Sequence, residues 1–473
     1  MSSLADELRA VLGPAGLVED PTRLVTYESD ALAMKAVRPE LVLLPRDTAQ
    51  TAAALRILAR HGTAIVPRGA GTGLAGGATP VEGGVVVSTA RMRDVLEVDV
   101  VDRFARVQAG VVNVDLSALC RSAGLAYAPD PSSQMACTIG GNVANNSGGP
   151  HCFKYGATTR HVLGLVAVTH TGKVLDLSEP VLDPLGYDLV GLLVGSEGTL
   201  AVVTEVTVRL SPVPPVIEVL LGLFRSLDAA CEVVSDAIER RLEPAALEIL
   251  DRLTIQAVED SVFAAGYPRD AEAVLLIELE GVEADVASQA REFLAILERH
   301  GAMEVRRARD PGERKKLWAG RKGAFGAMGR VAPDLYVADA VVPRTELRRL
   351  VNRTVEICRE LDLRLATVFH AGDGNLHPNI CYDRRNPGEV QRVLEAGHRI
   401  LAECVAAGGA LTGEHGVGLE KLPEMELYFG PDDLAAACRV RDAWDPDRRL
   451  NPGKLIPVHA CREARTPPVE VRP

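Results

Sequence analysis

The chain has 473 residues, 47% hydrophobic and 25% charged, with a net charge of −12. This is enough for several domains with sizeable cores, while the acidic balance and the 4% aromatic content exclude a basic or aromatic platform for nucleic acid. Nine cysteines at irregular spacing, with no C-x-x-C pair, exclude a disulfide framework and a conventional iron–sulfur cluster and point to a reducing compartment. The acidic start, Met1 to Leu8, has neither signal- nor transit-peptide character, and no run of 18 apolar residues occurs, so the expected location is the cytoplasm.

Residues 1–37 read as a helical lead-in. Leu41 to Leu44, a helix over Thr48 to His61 and a strand from Thr63 then form a βαβ pattern. Strands are expected at Gly84 to Ser88, Val95 to Val100 and Ala105 to Ala109, and a helix at Asn113 to Ser122. Pro129 to Gly156 has little periodicity, and Leu163 to Leu210 is strand-rich. Pro212, Pro214 and Pro215 mark a boundary. Beyond it strands (Val216 to Phe224, Ala273 to Glu280, Leu335 to Val342, Leu365 to Phe369) alternate with helices (Leu227 to Arg240, Glu283 to His300, Arg344 to Leu361, Pro387 to Ala407). That alternation predicts an α+β domain with helices on one face of a sheet. The basic run Arg306 to Lys322 reads as a solvated face, with Arg321 set apart below.

Pro67 to Ala78 holds glycines at 69, 71, 73, 76 and 77, which let a backbone approach a pyrophosphate with N–H groups as donors. Gly71, Gly73 and Gly76 match G-x-G-x-x-G, but Pro80 and Gly83-Gly84 follow in place of a helix, which argues against a Rossmann site. Pro129 to Gly149 and Gly195 to Thr199 add two more turns rich in backbone donors, implying a ligand of dinucleotide size. Toward the C-terminus, His370-Ala-Gly-Asp-Gly-Asn-Leu-His377 reads as two strands joined by a glycine turn, a hairpin that brings two imidazoles together. With Glu414 of Gly413-Glu-His-Gly416 these make a divalent-metal ligand set, and His415 is suited to act as a base.

Taken in order, Arg68 to Gly77, Pro131 to Gly149, Gly195 to Thr199, His370 to Pro378, Gly413 to Lys421 and Leu450 to Lys454 resemble the flavoprotein family of vanillyl-alcohol oxidase type. Within it they look most like the FAD-linked 2-hydroxy-acid branch, which holds D-lactate dehydrogenases, D-2-hydroxyglutarate dehydrogenases and the FAD subunit of bacterial glycolate oxidase. The resemblance implies an α+β fold. A two-part FAD-binding domain (38–214) is followed by a ferredoxin-like substrate domain (215–410) and a C-terminal segment (411–473) that returns to the flavin. It implies that Arg68, Gly69, Ala70, Gly71, Thr72, Gly73 and Leu74 hold the pyrophosphate by backbone amides. It further implies that Pro131, Thr138, Gly141, Asn145 and Gly148 line the flavin, Glu197 contacts the adenosine side and Asn451 makes the C-terminal flavin contact. Thr72 stands where members with covalent flavin carry a histidine, so non-covalent FAD is expected.

The same resemblance assigns the metal (zinc, iron or manganese) to His370, His377 and Glu414, the base to His415 and the substrate carboxylate to Arg321, whose planar guanidinium suits a bidentate partner. Members that bind a second, distal carboxylate have a lysine where this chain has Val337, so a short monocarboxylate, glycolate or D-lactate, is expected. The implied partners are an iron–sulfur subunit and a second flavin-domain subunit as electron acceptors. No nucleic acid and no membrane span are expected, any membrane association would run through those subunits, and a homodimer fits the resemblance. A non-catalytic flavin subunit, a D-2-hydroxyglutarate-type dehydrogenase and a nicotinamide dehydrogenase are the alternatives.

Overall fold

The computed structural model describes residues 3–32, 34–180 and 186–464. It divides into two compact units. The first comprises residues 1–147, 157–212 and 414–473; the second comprises 148–156 and 213–413. Among the described residues no helix is long and apolar enough to cross a membrane.

The first unit contains two main sheets. In one, Leu41–Leu43 and Ile65–Arg68 both run parallel to Val85–Ser88, which lies between them. The crossover helix Thr48–Arg60 therefore skips a strand position rather than joining neighbours. Val85–Ser88 is buried along its whole length, as suits a strand between two parallel neighbours. The helix is capped by Asp47, whose side chain accepts from Gln50 N at 2.7 Å, and it buries Ala52, Ala54, Leu55, Ile57 and Leu58. The second sheet is antiparallel, in the order Val95–Asp99, Phe104–Gln108, Val202–Arg209, Val162–Val168, Val174–Leu177.

The stretch from Pro129, expected to be irregular, contains the helix Ile139–Asn145. Its glycines conceal it in the sequence but serve packing. A Cβ on Gly140 would stand 2.6 Å from Ala109 Cβ, so only glycine lets this helix lie against the chain after Phe104–Gln108. The C-terminal segment rejoins this unit as a parallel bridge, with Ile65 N donating to Arg449 O and Asn451 N to Ile65 O, both at 2.7 Å.

The second unit is built on an antiparallel sheet ordered Glu304–Arg307, Val216–Phe224, Ala273–Gly281, Ala246–Asp251, Arg364–His370. Strand alternation sorts its two faces. Gly222 faces Leu297 of the helix Glu283–Arg299, whereas Val219, Leu221 and Leu223 pack with Ile255, Leu317 and Ala324. Helices thus cover both faces, where one was expected. The additional layer is Arg252–Glu259 and Pro311–Ala327. The second of these takes up most of the supposed solvated basic run: Lys315 and Lys316 are exposed, but Leu317 and Arg321 are buried.

Candidate active site

In the first unit the glycine turn after Ile65–Arg68 lies against the start of the helix Ile139–Asn145. A Cβ on Gly69 would meet Thr138 Oγ1 at 2.6 Å, and Thr138 caps the helix by accepting from Gly141 N at 3.3 Å. Gly71 has φ +72° and Gly76 φ +80°, left-handed values that suit glycine. Among the described residues no backbone N–H from Gly69 to Gly77 donates a hydrogen bond within the protein. Such a run of donors fits a phosphate-bearing ligand held by main-chain amides. Arg68 acts as an internal brace. Its Nη1 donates to Ser29 O at 2.8 Å, its guanidinium sits 5.6 Å from the Tyr27 ring centre, and burial draws its pKa downward.

Three further residues from the sequence reading converge on this turn. Asn451, at φ +45°, donates from Nδ2 to Gly77 O (2.9 Å) and Glu197 O (2.7 Å). Asn145 Nδ2 donates to His415 O at 3.0 Å. Glu197, at φ +50° and 6% exposed, spends its carboxylate on Val417 N (2.7 Å) and Gly418 N (2.8 Å), directly after His415. Burial pushes its pKa up, against these bonds and the nearby charges of Lys421 and Lys454. Glu414 Oε1 lies 3.9 Å from His415 Nε2. Thr72 sits in the half-buried turn and Pro131 is buried, while Gly148, also buried, belongs to the second unit.

Lys454 was not singled out from the sequence, although it closes the Asn-Pro-Gly-Lys tail. It is fully buried, and its ammonium donates to Gly77 O (2.8 Å), Thr79 O (2.5 Å) and Asn451 Oδ1 (2.7 Å). It therefore clamps the C-terminal segment to the end of the glycine turn. Burial pushes its pKa down to about 7, partly offset by Asp30 and Glu197.

In the second unit the hairpin forms as the spacing predicts. Arg364–His370 pairs with Asn375–Leu376 and Pro378–Tyr382, and the turn uses Gly374 at φ +76°, where a Cβ would strike Val342 O at 2.3 Å. His370 and His377 are 2% and 6% exposed, their ring centres are 5.0 Å apart, and each offers a nitrogen within 4.8 Å of the other's. Donor chemistry and spacing both suit a divalent cation. The sequence reading missed the carboxylates behind them. Glu248 lies directly across from His370 on the neighbouring strand, with Oε1 2.7 Å from His370 Nδ1 and Oε2 accepting from Arg321 Nε at 2.5 Å. Asp339 Oδ1 lies 3.7 Å from His377 Nδ1, and Oδ2 accepts from Thr412 Oγ1 (2.5 Å) and Gly413 N (3.0 Å). Arg321 is 4% exposed and commits Nε to Glu248, which leaves the outer edge of the guanidinium for another acceptor. Val337 is buried at the end of the strand Asp334–Val337.

The signature of FAD linked oxidases, C-terminal domain, matches residues 213–455, and that of an FAD binding domain matches residues 39–178. The chain is 48% identical over 441 residues to the glycolate oxidase subunit GlcD of Escherichia coli, covering 93% of this chain and 88% of that protein. It is 33% identical over 441 residues to a D-lactate dehydrogenase of Anaerostipes hadrus, covering 91% and 92% of the two chains. The solved structure of p-cresol methylhydroxylase with substrate bound superposes with a TM-score of 0.82 at 16% identity, over 96% of this chain and 97% of that one, a likeness of fold.

Proposed function

The chain belongs to the FAD-linked oxidases, with the vanillyl-alcohol oxidase fold, and from that premise we propose that it oxidises a short 2-hydroxy monocarboxylic acid, glycolate or D-lactate, to the 2-oxo acid. The names of its relatives support the substrate class. The observation that carries the reading is the pairing of a buried, pre-oriented arginine and a buried imidazole on one carboxylate, with a second buried imidazole beside the first, since a 2-hydroxy acid offers an anion and a hydroxyl on adjacent carbons.

In this reading Arg321 binds the substrate carboxylate through the guanidinium edge that Glu248 leaves open. His415 accepts the proton of the substrate hydroxyl on an imidazole nitrogen, while Asn145 holds the His415 carbonyl and Glu197 the amide of Val417, two residues on. When bound, non-covalent FAD supplies the hydride acceptor, and a divalent ion on His370, His377 and Glu414 supplies positive charge that lowers the hydroxyl pKa. Val337 favours a monocarboxylate: a distal carboxylate beside this buried aliphatic side chain would lose its hydration without gaining a cation. The relative's name as a subunit supports a separate partner protein as electron acceptor.

The test is anaerobic titration of the purified yellow protein with a panel of 2-hydroxy acids, following loss of flavin absorbance. Glycolate or D-lactate is expected to bleach it stoichiometrically, and 2-hydroxyglutarate to do so far less efficiently. A protein bleached only by the dicarboxylate, or by none of the panel, refutes the proposal.

A further inference from the structure

A carboxylate in the middle of a central strand is costly unless its acceptor oxygens are used. Glu248 is completely buried in Ala246–Asp251, between strands on both sides. Its strand neighbours Leu247, Ile249 and Leu250 are apolar and equally buried, so a leucine would serve the core at position 248. Its two oxygens are used for different partners: Oε2 accepts from Arg321 Nε at 2.5 Å, and Oε1 stands 2.7 Å from His370 Nδ1.

These distances dictate the chemistry of the imidazole. A carboxylate only accepts, so at 2.7 Å the Nδ1 of His370 is the protonated nitrogen. Arg321 Nη2, 3.3 Å from that same Nδ1, only donates, and two donors cannot share one bond. The carboxylate is therefore the common acceptor of both groups, and in the neutral imidazole the lone pair is directed to Nε2. Glu248 and His370 face each other on paired strands, and Arg321 comes down from the helix Pro311–Ala327 on the face where Leu317 and Ala324 pack against the sheet. All three residues lie in regular strands or a helix, so the geometry does not rely on a loop.

We propose that Glu248 is a positioning residue that sets two functional groups at once, fixing the Nε2-acceptor tautomer of His370 for cation binding and the tilt of the Arg321 guanidinium for substrate carboxylate. The inference rests on the reading of His370 and His377 as cation ligands and goes beyond it by linking cation affinity to substrate affinity through one buried side chain. A carboxylate behind a ligating imidazole typically matters 10- to 100-fold in affinity. Asp339 stands behind His377 in a similar way, at a longer 3.7 Å.

The experiment uses the FAD-loaded full chain, stripped with chelator and titrated with Zn²⁺ or Mn²⁺ alone by calorimetry, alongside steady-state kinetics. Glu248→Gln keeps the size but cannot accept from both partners. It is expected to weaken cation binding 10- to 100-fold and to raise KM for the 2-hydroxy acid by about tenfold, with Glu248→Asp recovering part of both. His370→Ala separates the two levels of argument. If the wild type binds no cation, or binds it equally well without His370, the ligand reading itself fails. If His370 is required and Glu248→Gln binds cation and substrate like wild type, the positioning role is overturned. Histidine-selective ¹⁵N–¹H correlation spectra of the wild type need no variant: a proton on Nδ1 of His370 supports the proposal, and a proton on Nε2 alone overturns it even if neither variant folds.

Discussion

Gly416→Ala probes how the turn carrying His415 is held. Gly416 has φ +84°, and a Cβ there would stand 2.6 Å from Glu197 Oε1. The left-handed backbone alone costs an L-residue about 1–2 kcal/mol. The contact adds more, because carbon and oxygen must separate by roughly 0.8 Å to reach ordinary van der Waals distance. Glu197 has little room to retreat: it is buried and holds Val417 N and Gly418 N at 2.7 and 2.8 Å. Losing one such charge-assisted bond costs about 1.5–3 kcal/mol, so the combined penalty is roughly 3–5 kcal/mol. Part of it is relieved by moving the turn, and a 1 Å displacement of a reacting group costs about 100-fold in rate. Gly416→Ala is therefore expected to lower kcat about 100-fold with KM nearly unchanged, and to lower the melting temperature. Gly13→Ala is the control for backbone strain alone, since Gly13 has φ +71° with nothing within 4 Å of a Cβ; it should lose a little stability and no activity. The assay is substrate-dependent reduction of an artificial electron acceptor, paired with thermal melts. A Gly416→Ala protein that melts earlier than Gly13→Ala yet keeps wild-type kcat would show that Glu197 and this turn do not position His415.

Three other outcomes follow from the same geometry. His415→Ala should retain flavin while kcat falls by about 10²–10⁴, the usual worth of a general base; near-normal turnover removes it from that role. Lys454→Met leaves Gly77 O, Thr79 O and Asn451 Oδ1 without their shared donor, at about 1–3 kcal/mol each when buried, so FAD should dissociate at least tenfold faster on dialysis; unchanged flavin retention refutes the clamp. Burial pushes Asp251 up to about 6 from 3.8, against hydrogen bonds from Thr254 and Thr367. The folded chain therefore holds a proton that the unfolded chain releases, and the stabilisation is full below about 3.8 and lost as pH rises through about 6. Urea unfolding should show the second unit about 1.4 kcal/mol more stable at pH 5 than at pH 7.5 from this group, a slope that Asp251→Asn abolishes; equal slopes in the two proteins refute it.

What could be read from the sequence depended on the range of the signal. The hairpin at His370 and His377 was legible because a glycine turn and two flanking strands lie within one short stretch, Arg364 to Tyr382, and hairpin register is a local property. Glu248 was not, because it is a single acid in an apolar strand whose partners, Arg321 and His370, lie 73 and 122 residues away. Only the strand order brings it to His370, and only the packing of the helix Pro311–Ala327 brings it to Arg321. The helix Pro311–Ala327 was missed for a different reason. Its glycines at 320 and 323 weaken any helical pattern, yet a Cβ at Gly320 would meet Ala265 Cβ at 2.7 Å and one at Gly323 would meet Phe263 Cγ at 2.2 Å. The residues that depress helix propensity are the ones that let this helix settle deeply enough to bring Arg321 down to Glu248.

Glu197 carries the same lesson into the cofactor half. Its place in a Gly-Ser-Glu-Gly turn suggests a direct contact with ligand, and a short motif contains no information that distinguishes such a contact from a brace. The structure commits both of its oxygens to the backbone after His415, and Asn451 in turn donates to the Glu197 carbonyl and to Gly77. One buried acid thereby joins three segments far apart in sequence: the glycine turn, the His415 turn and the C-terminal tail. A buried carboxylate on a left-handed backbone that satisfies other residues' amides is better explained by the need to hold geometry than by stability, since burying the charge is itself unfavourable. In the first unit, then, a set of buried charges around Glu197 and Lys454 keeps the glycine turn and His415 in a fixed relation.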